Sequence, residues 1–252
     1  DYKTESTSAS FTDITSSTHN VKFYIYSNSI LNKIPNSTLS IDQNNHLFSL
    51  IDSYAFNKNI IELNYGKINT WNLENITNID YLFSKSFSDT ETPNSTSNTP
   101  SNHDNNIFYF FNEDISNWNV SNVSTMIGTF SNCTNFNSPL NTWDVTNVTN
   151  MSQMFFSSSY YSGIRYKTKF NQKISNWNTS KLENISFMFA NSEFNQYIDT
   201  LETTDYNGQI LKSWDVSNVT NQNNTFLNSS FNQPLTNWGD EFYINSISNV
   251  VK

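Results

Sequence analysis

Apolar residues recur along this chain in a single frame set by its tryptophans. Trp71, Trp118, Trp143, Trp177, Trp214 and Trp238 are separated by 47, 25, 34, 37 and 24 residues, so a period of 24–25 residues is lengthened by insertions. Three residues before each Trp (position −3) stands Ile68, Ile115, Leu140, Ile174, Leu211 or Leu235. Position +2 holds Leu73, Val120, Val145, Thr179 or Val216, and position +5 holds Ile76, Val123, Val148, Leu182 or Val219. Ile79, Met126, Met151 and Ile185 follow at +8, with Gln222 as the exception, and Phe83, Phe130, Phe155, Phe189 and Phe226 at +12. A Phe-Asn pair opens several units, at 111–112, 136–137, 170–171 and 231–232, and is missing before Trp71 and Trp214.

This spacing predicts two elements per unit. The aliphatic–Trp–aliphatic run from −3 to +2 predicts a short strand, placed after Pro139 and Pro234 because proline cannot donate to a ladder. Apolar steps of three and four residues at +5, +8 and +12 predict two to three helical turns, with Ser121, Thr146, Ser180 and Ser217 as caps at +3. Neither element can bury its apolar side alone, so the fold class expected is α/β: a single leucine-rich-repeat-like solenoid with one short parallel strand and one short helix per turn, closed by N- and C-terminal caps. The column Asn72, Asn119, Asp144, Asn178 and Asp215 at +1 is expected to point outward and to form a hydrogen-bonded ladder from turn to turn.

The best copies, at 111–130, 136–156 and 170–189, read "FNxxIxxWxVSNVTNMxxMF". This sentence resembles the bacterial surface-protein repeat (BspA-like) found in surface lipoproteins of mycoplasmas and related wall-less bacteria, over roughly residues 56–240. The resemblance implies a secreted or surface-anchored, leucine-rich-repeat-like protein associated with adhesion or host contact, whose partners are undefined.

Around the repeats, residues 1–18 read as a flexible Ser/Thr-rich tether. Residues 19–56 read as an N-terminal cap, with a strand at 21–26 and a helix at 46–56, and residues 241–252 as a C-terminal cap. The repeat region, 57–240, carries inserts at 84–107, 156–169 and 197–210. The first is Ser/Thr/Asn/Pro-rich. The second holds three tyrosines, the only arginine and two lysines; the third is acidic. The chain opens on Asp1, which suggests a processed form with a signal or anchor removed. The location that the resemblance implies is extracellular, at the cell surface, lipid-anchored or tethered through a removed N-terminal segment.

Composition narrows the function classes. With a net charge of −9 and one arginine, the chain lacks the clustered cations that phosphate backbones and anionic membranes require, so neither is an expected partner. A single cysteine, Cys133, excludes an intrachain disulfide framework and a multi-cysteine zinc site. Aromatic content of 15% argues for a packed core despite the Asn-rich texture. No apolar run is long enough to span a bilayer.

Candidate chemistry is sparse. His19, His46 and His103 form no zinc or triad pattern, phosphate-binding glycine loops are absent, and Asp199, Glu202 and Asp205 read as a solvated acidic loop. No cofactor or metal is implied, and the chain reads as non-catalytic. The tryptophan column reads as an internal stack rather than a sugar platform. What remains is the insert at 156–169. Tyrosine and arginine supply rigid contact area and charge-assisted hydrogen bonds, so Tyr160, Tyr161, Arg165 and Tyr166 are the candidate partner-binding residues. The expected function is adhesion to, or recognition of, a host or neighbouring protein or glycan. The alternative is a structural protein that assembles with itself into an array or filament.

Overall fold

The computed structural model describes residues 44–84, 107–158, 160–161, 164–204, 208 and 210–239. The expected strand at 21–26 and cap at 241–252 lie outside these residues, as does most of the first insert.

A long helix comes first. Helix α1, Asn44–Tyr65, exceeds the expected 46–56 segment and bends at Asn57, whose backbone is non-helical. Leu47, Leu50, Ile51 and Tyr54 are buried and join the same core as the repeats. A single 3-10 turn, Ile68–Thr70, leads into the first tryptophan.

From Trp71 onward the frame positions are core positions. All six tryptophans are buried, as are the +12 phenylalanines and the opening Phe111, Phe136, Phe170, Phe194 and Phe231. At each junction the +12 ring lies face to face with the opening ring of the unit that follows: Phe130 with Phe136 at 4.0 Å, Phe155 with Phe170 at 3.9 Å, Phe226 with Phe231 at 4.0 Å. Between units the +12 rings repeat at 5.3–5.7 Å along Phe83, Phe130, Phe155, Phe189 and Phe226. Offset stacking at these separations is the arrangement aromatic quadrupoles prefer. The tryptophans stack in register beside them, for example Trp118 on Trp143 at 6.4 Å.

The secondary structure differs from expectation. No α-helix occurs among the described residues after Tyr65, and no strand occupies −3 to +2 except just before Trp214, where Ile210–Ser213 is a strand. The −3 to +5 segment is a pair of tight turns, in which the Trp amide donates to the −3 carbonyl, except at Trp214, whose amide donates to the carbonyl of Trp177, and the +5 amide donates to the +2 carbonyl. Parallel pairing falls at +7 instead: Asn78, Thr125, Asn150, Asn184 and Asn221 bridge in succession. From there to +14 each unit lies against the next, its +8, +10 and +12 amides donating to the +7, +9 and +11 carbonyls of the following unit. In the second unit these are Met126 to Asn150, Gly128 to Ser152 and Phe130 to Met154, at 2.8–2.9 Å.

A helical spacing without a helix has a local cause. Position +10 is left-handed in all five units in which it is described: Tyr81, Gly128, Gln153, Phe187 and Asn224 have φ of 55°, 55°, 59°, 56° and 57°. A left-handed residue stops an α-helix and, with the +11 amide bonded back to the +8 carbonyl, folds the segment into consecutive turns. Consecutive turns also return side chains to one side every three or four residues, so the apolar period survives.

Candidate functional site

Because the coils consume their own hydrogen-bonding groups, surface chemistry is left to the places where the chain departs from the frame. The +1 column forms no ladder between turns. Each side-chain oxygen instead accepts the amide two residues on in its own unit, as in Ser121 to Asn119 and Thr146 to Asp144 at 3.1 Å, since short Asx side chains close such turns. Glu74, Ser180 and Ser217 are held the same way, so the serines expected as helix caps are donors into Asx turns.

The ladders lie in two other columns. The Phe-Asn asparagines are chained: the amides of Asn137, Asn171, Asn195 and Asn232 donate to the side-chain oxygens of Asn112, Asn137, Asn171 and Asn195 at 2.7–2.9 Å. At +4, Asn122, Asn147 and Asn218 donate their carboxamides to the carbonyls of Glu74, Ser121 and Ser180.

This ladder corrects the boundaries of the third insert. Phe194-Asn195 is the opening pair of the fifth unit, and Ile198, buried at 0%, stands four residues after Phe194 as Leu140 does after Phe136. The −3 role assigned to Leu211 belongs to Ile198. Leu211 sits in a hairpin, β3 (Leu201–Thr204) against β4 (Ile210–Ser213), that interrupts the unit just before Trp214. Asp199 is not solvated: its buried carboxylate accepts from Thr236 Oγ1 at 2.7 Å and from the backbone and side-chain nitrogens of Asn237. Full pairing of this kind is what a buried polar side chain requires.

The second insert is also a hairpin, narrower than 156–169. Ser157 and Thr168 are bonded into the stack, through Ala190 and Asn191. Between them β1 (Tyr160–Tyr161) pairs antiparallel with β2 (Ile164–Arg165). The register sets Tyr160 opposite Arg165 and Tyr161 opposite Ile164, so three of the four candidate residues share one two-stranded ribbon. Tyr166 follows at its foot with 36% exposure. The two lysines of this insert face along the stack: Lys169 Nζ reaches Asn135 Oδ1 at 2.7 Å and Lys167 Nζ reaches Ser230 Oγ at 3.2 Å.

Outside the helix, exposed large apolar side chains concentrate beside the inserts. Phe110, 82% exposed, follows the first insert, Tyr166 borders the second, and Tyr197 and Leu201 border the third; Tyr81 alone lies within a coil. Sequence reasoning missed Phe110, Tyr197 and Leu201, although their adjacency to the inserts was a usable signal.

Among the described residues no group of His, Cys, Asp and Glu is placed to hold a metal ion. Cys133 is buried, its thiol 2.9 Å from the carbonyl of Phe83. His46 packs edge-on against Tyr65 in α1. No described helix is long and apolar enough to cross a membrane.

The family of mycoplasma proteins of unknown function called DUF285 matches residues 49–161 and 162–250. The chain belongs to that family. The two DUF285 matches meet between residues 161 and 162, so the β1–β2 ribbon lies at the junction of the first three units with the last three. No curated protein and no solved structure matches the chain.

Proposed function

We propose that this chain is a surface-exposed, non-catalytic recognition module, a single solenoid of stacked coils that presents its inserts to a protein or glycan partner at the cell surface. One observation carries the reading. The coils are filled by buried repeat positions and cross-bonded polar columns, whereas exposed Phe110, Tyr166, Tyr197 and Leu201 gather where the inserts leave the stack. Exposed aromatics next to tyrosine and arginine are the composition of an interface centre rather than of an idle loop. The resemblance of the repeat to BspA-like surface lipoproteins supports a cell-surface location and adhesion.

The test replaces Tyr160, Tyr161, Arg165 and Tyr166 together by Ala and measures binding of the labelled chain to host-cell surfaces and to immobilised glycans. Binding is expected to fall at least tenfold while the melting temperature changes little, since the ribbon lies between the stack-bonded Ser157 and Thr168. Undiminished binding removes this ribbon as the contact site.

A second reading, self-assembly into an array, is favoured by the last described ladder. The amides of Gln222, Asn224, Phe226 and Asn228 have no partner among the described residues, unlike their counterparts in the earlier units. Head-to-tail contacts of that kind do not close. Mass by light scattering that climbs with concentration without levelling would favour assembly over recognition.

A further inference from the structure

One column of side chains can be followed across five coils. Phe110, Asn135, Lys169, Glu193 and Ser230 each stand one residue before an opening phenylalanine. The amides of Asn135, Lys169, Glu193 and Ser230 donate to the carbonyls of Tyr109, Thr134, Thr168 and Ser192 at 2.8–3.3 Å. The opening rings stack from coil to coil at 5.9–6.2 Å, so the five residues lie in register. At the strand spacing of about 4.8 Å per step the column is roughly 20 Å long. Phe110 is 82% exposed, with Tyr109 edge-on to its ring at 4.8 Å; Lys169, Glu193 and Ser230 are exposed and Asn135 is half-buried. Because the backbone amides here are bonded to the neighbouring coil, the column offers a partner its side chains rather than a strand edge.

Charge sets this column apart. Residues 145–182 carry five of the chain's thirteen cations and none of its twenty-two acids. Two of the five reach into the column in opposite directions: Lys169 Nζ to Asn135 Oδ1 at 2.7 Å and Lys167 Nζ to Ser230 Oγ at 3.2 Å. Both ammonium groups rest on neutral acceptors, and neither forms an ion pair with a carboxylate among the described residues. Their acceptors stand three steps apart, so the positive charge is spread along the stack instead of being gathered at one point. Exposed Glu193 interrupts it.

We propose that this column binds a linear acidic polysaccharide lying along the stack, one in which sugars bearing a carboxylate are separated by neutral sugars. Lys169 and Lys167 take the carboxylates of two acidic sugars, as point charges that need no fixed approach. Glu193 accepts from the hydroxyls of the neutral sugar between them, and Asn135 and Ser230 hydrogen-bond to hydroxyls at either side. Phe110 packs against the C–H face of a sugar at the end of the column. A polymer charged at every unit, such as a nucleic acid or a heavily sulfated glycan, would set an anion against Glu193, and that repulsion selects for sparse charge. An extended peptide gains little here, since the backbone groups it would pair with are already bonded.

This inference rests on the recognition reading proposed above, and the two fail separately. Binding of a hyaluronan decasaccharide to the full chain is measured by isothermal titration, beside heparin and an oligo-dT of matching length. The parent should bind hyaluronan more tightly than either, and less tightly as salt is raised. Lys167→Gln combined with Lys169→Gln should lower the affinity by roughly tenfold or more, as truncating a charged partner at an interface does. The corresponding pair of Lys→Arg substitutions keeps the charge and should bind like the parent, which separates loss of charge from loss of fold. Lys181→Gln removes a cation that reaches Asn147 in the +4 column instead, and should leave binding within about twofold. Glu193→Gln should raise the affinity for heparin more than that for hyaluronan. No binding of hyaluronan by the parent, tighter binding of heparin or oligo-dT, or an equal loss in Lys181→Gln would overturn the assignment. A chain that binds host-cell surfaces but not hyaluronan sinks only the acidic polysaccharide, whereas one that binds neither cells nor any glycan sinks the recognition reading with it.

Discussion

Replacing Asn137 by Ala isolates the contribution of one rung of the asparagine ladder. Asn137 is half-buried, and its Oδ1 receives the backbone amide of Asn171 at 2.9 Å. Its own amide donates to Asn112 Oδ1 at 2.7 Å, a bond that truncation leaves intact. The substitution therefore removes one acceptor, on the side facing the fourth unit, and opens no aromatic cavity. A donor left without its partner in a partly buried place costs about 1–2 kcal/mol. For a chain of this size that is a fall of roughly 3–6 °C in melting temperature. Asn137→Asp keeps an acceptor at the same position and should match the parent within about 0.5 kcal/mol at pH 7. Because its carboxylate accepts a backbone amide only in the fold, its folded pKa should lie below the unfolded value of about 3.9, so this stability is present above that value and disappears as pH falls through the folded pKa. Urea unfolding at several pH values, with hydrogen exchange at Asn171, checks both variants. An Ala variant as stable as the parent, with the Asn171 amide still protected, would refute the ladder as a source of stability.

Two further substitutions probe the backbone and the closed end. Gly128 has φ of 55°, and a Cβ there would lie 2.3 Å from Cε1 of Tyr81, so Gly128→Ala should destabilise by about 1–3 kcal/mol; adding Tyr81→Ala should recover the steric part but not the conformational cost, as melting temperatures would show. Asn44 Oδ1 accepts the amide of Thr77, standing in for the coil that precedes every other +6 amide, so Asn44→Ala should cost about 1–2 kcal/mol and raise exchange at Thr77 before any other ladder amide.

What could be read in advance was the side of each residue that faces inward, and what could not was the path of the backbone between them. Trp143, Val145, Val148, Met151 and Phe155 are all buried as their spacing requires. The same 2, 3, 3 and 4 residue steps are satisfied by a helix or by consecutive turns, and burial alone does not choose between them. Composition carried the discriminating signal: "SNVSTMIGTF" is built from Ser, Asn, Thr and β-branched residues, which compete with or crowd a helix. The left-handed +10 position stayed hidden because Gly occupies it only once, at Gly128, while Tyr81, Gln153 and Phe187 adopt it with their amides bonded to the following coil. Counting backward from Trp214 gave Leu211 instead of Ile198 because an insert placed inside the motif defeats any fixed offset. The candidate ribbon was legible as composition only; its register, with Tyr160 opposite Arg165, depends on a hairpin too short to announce itself.

The positions of the inserts follow from the same ladders. From +6 to +14 nearly every second amide is bonded to a neighbouring coil, and the opening Phe-Asn pair is locked on both sides by its asparagine. An insertion there would break bonds to two coils at once. The free stretches are the link between the +12 phenylalanine and the next opening phenylalanine, which spans five residues from Phe226 to Phe231 but fifteen from Phe155 to Phe170, and the short turn before the tryptophan. The first two inserts use the former and the third uses the latter. Loop length at such sites costs little, roughly 0.6 kcal/mol per doubling. Variation of surface chemistry is therefore confined to two sites along each coil, and repetition brings those sites into line from one coil to the next. If the recognition reading proposed above holds, Tyr166 at one site and Tyr197 and Leu201 at the other, all exposed, rather than any of the buried tryptophans, are the residues whose replacement should alter what is bound without altering what is folded.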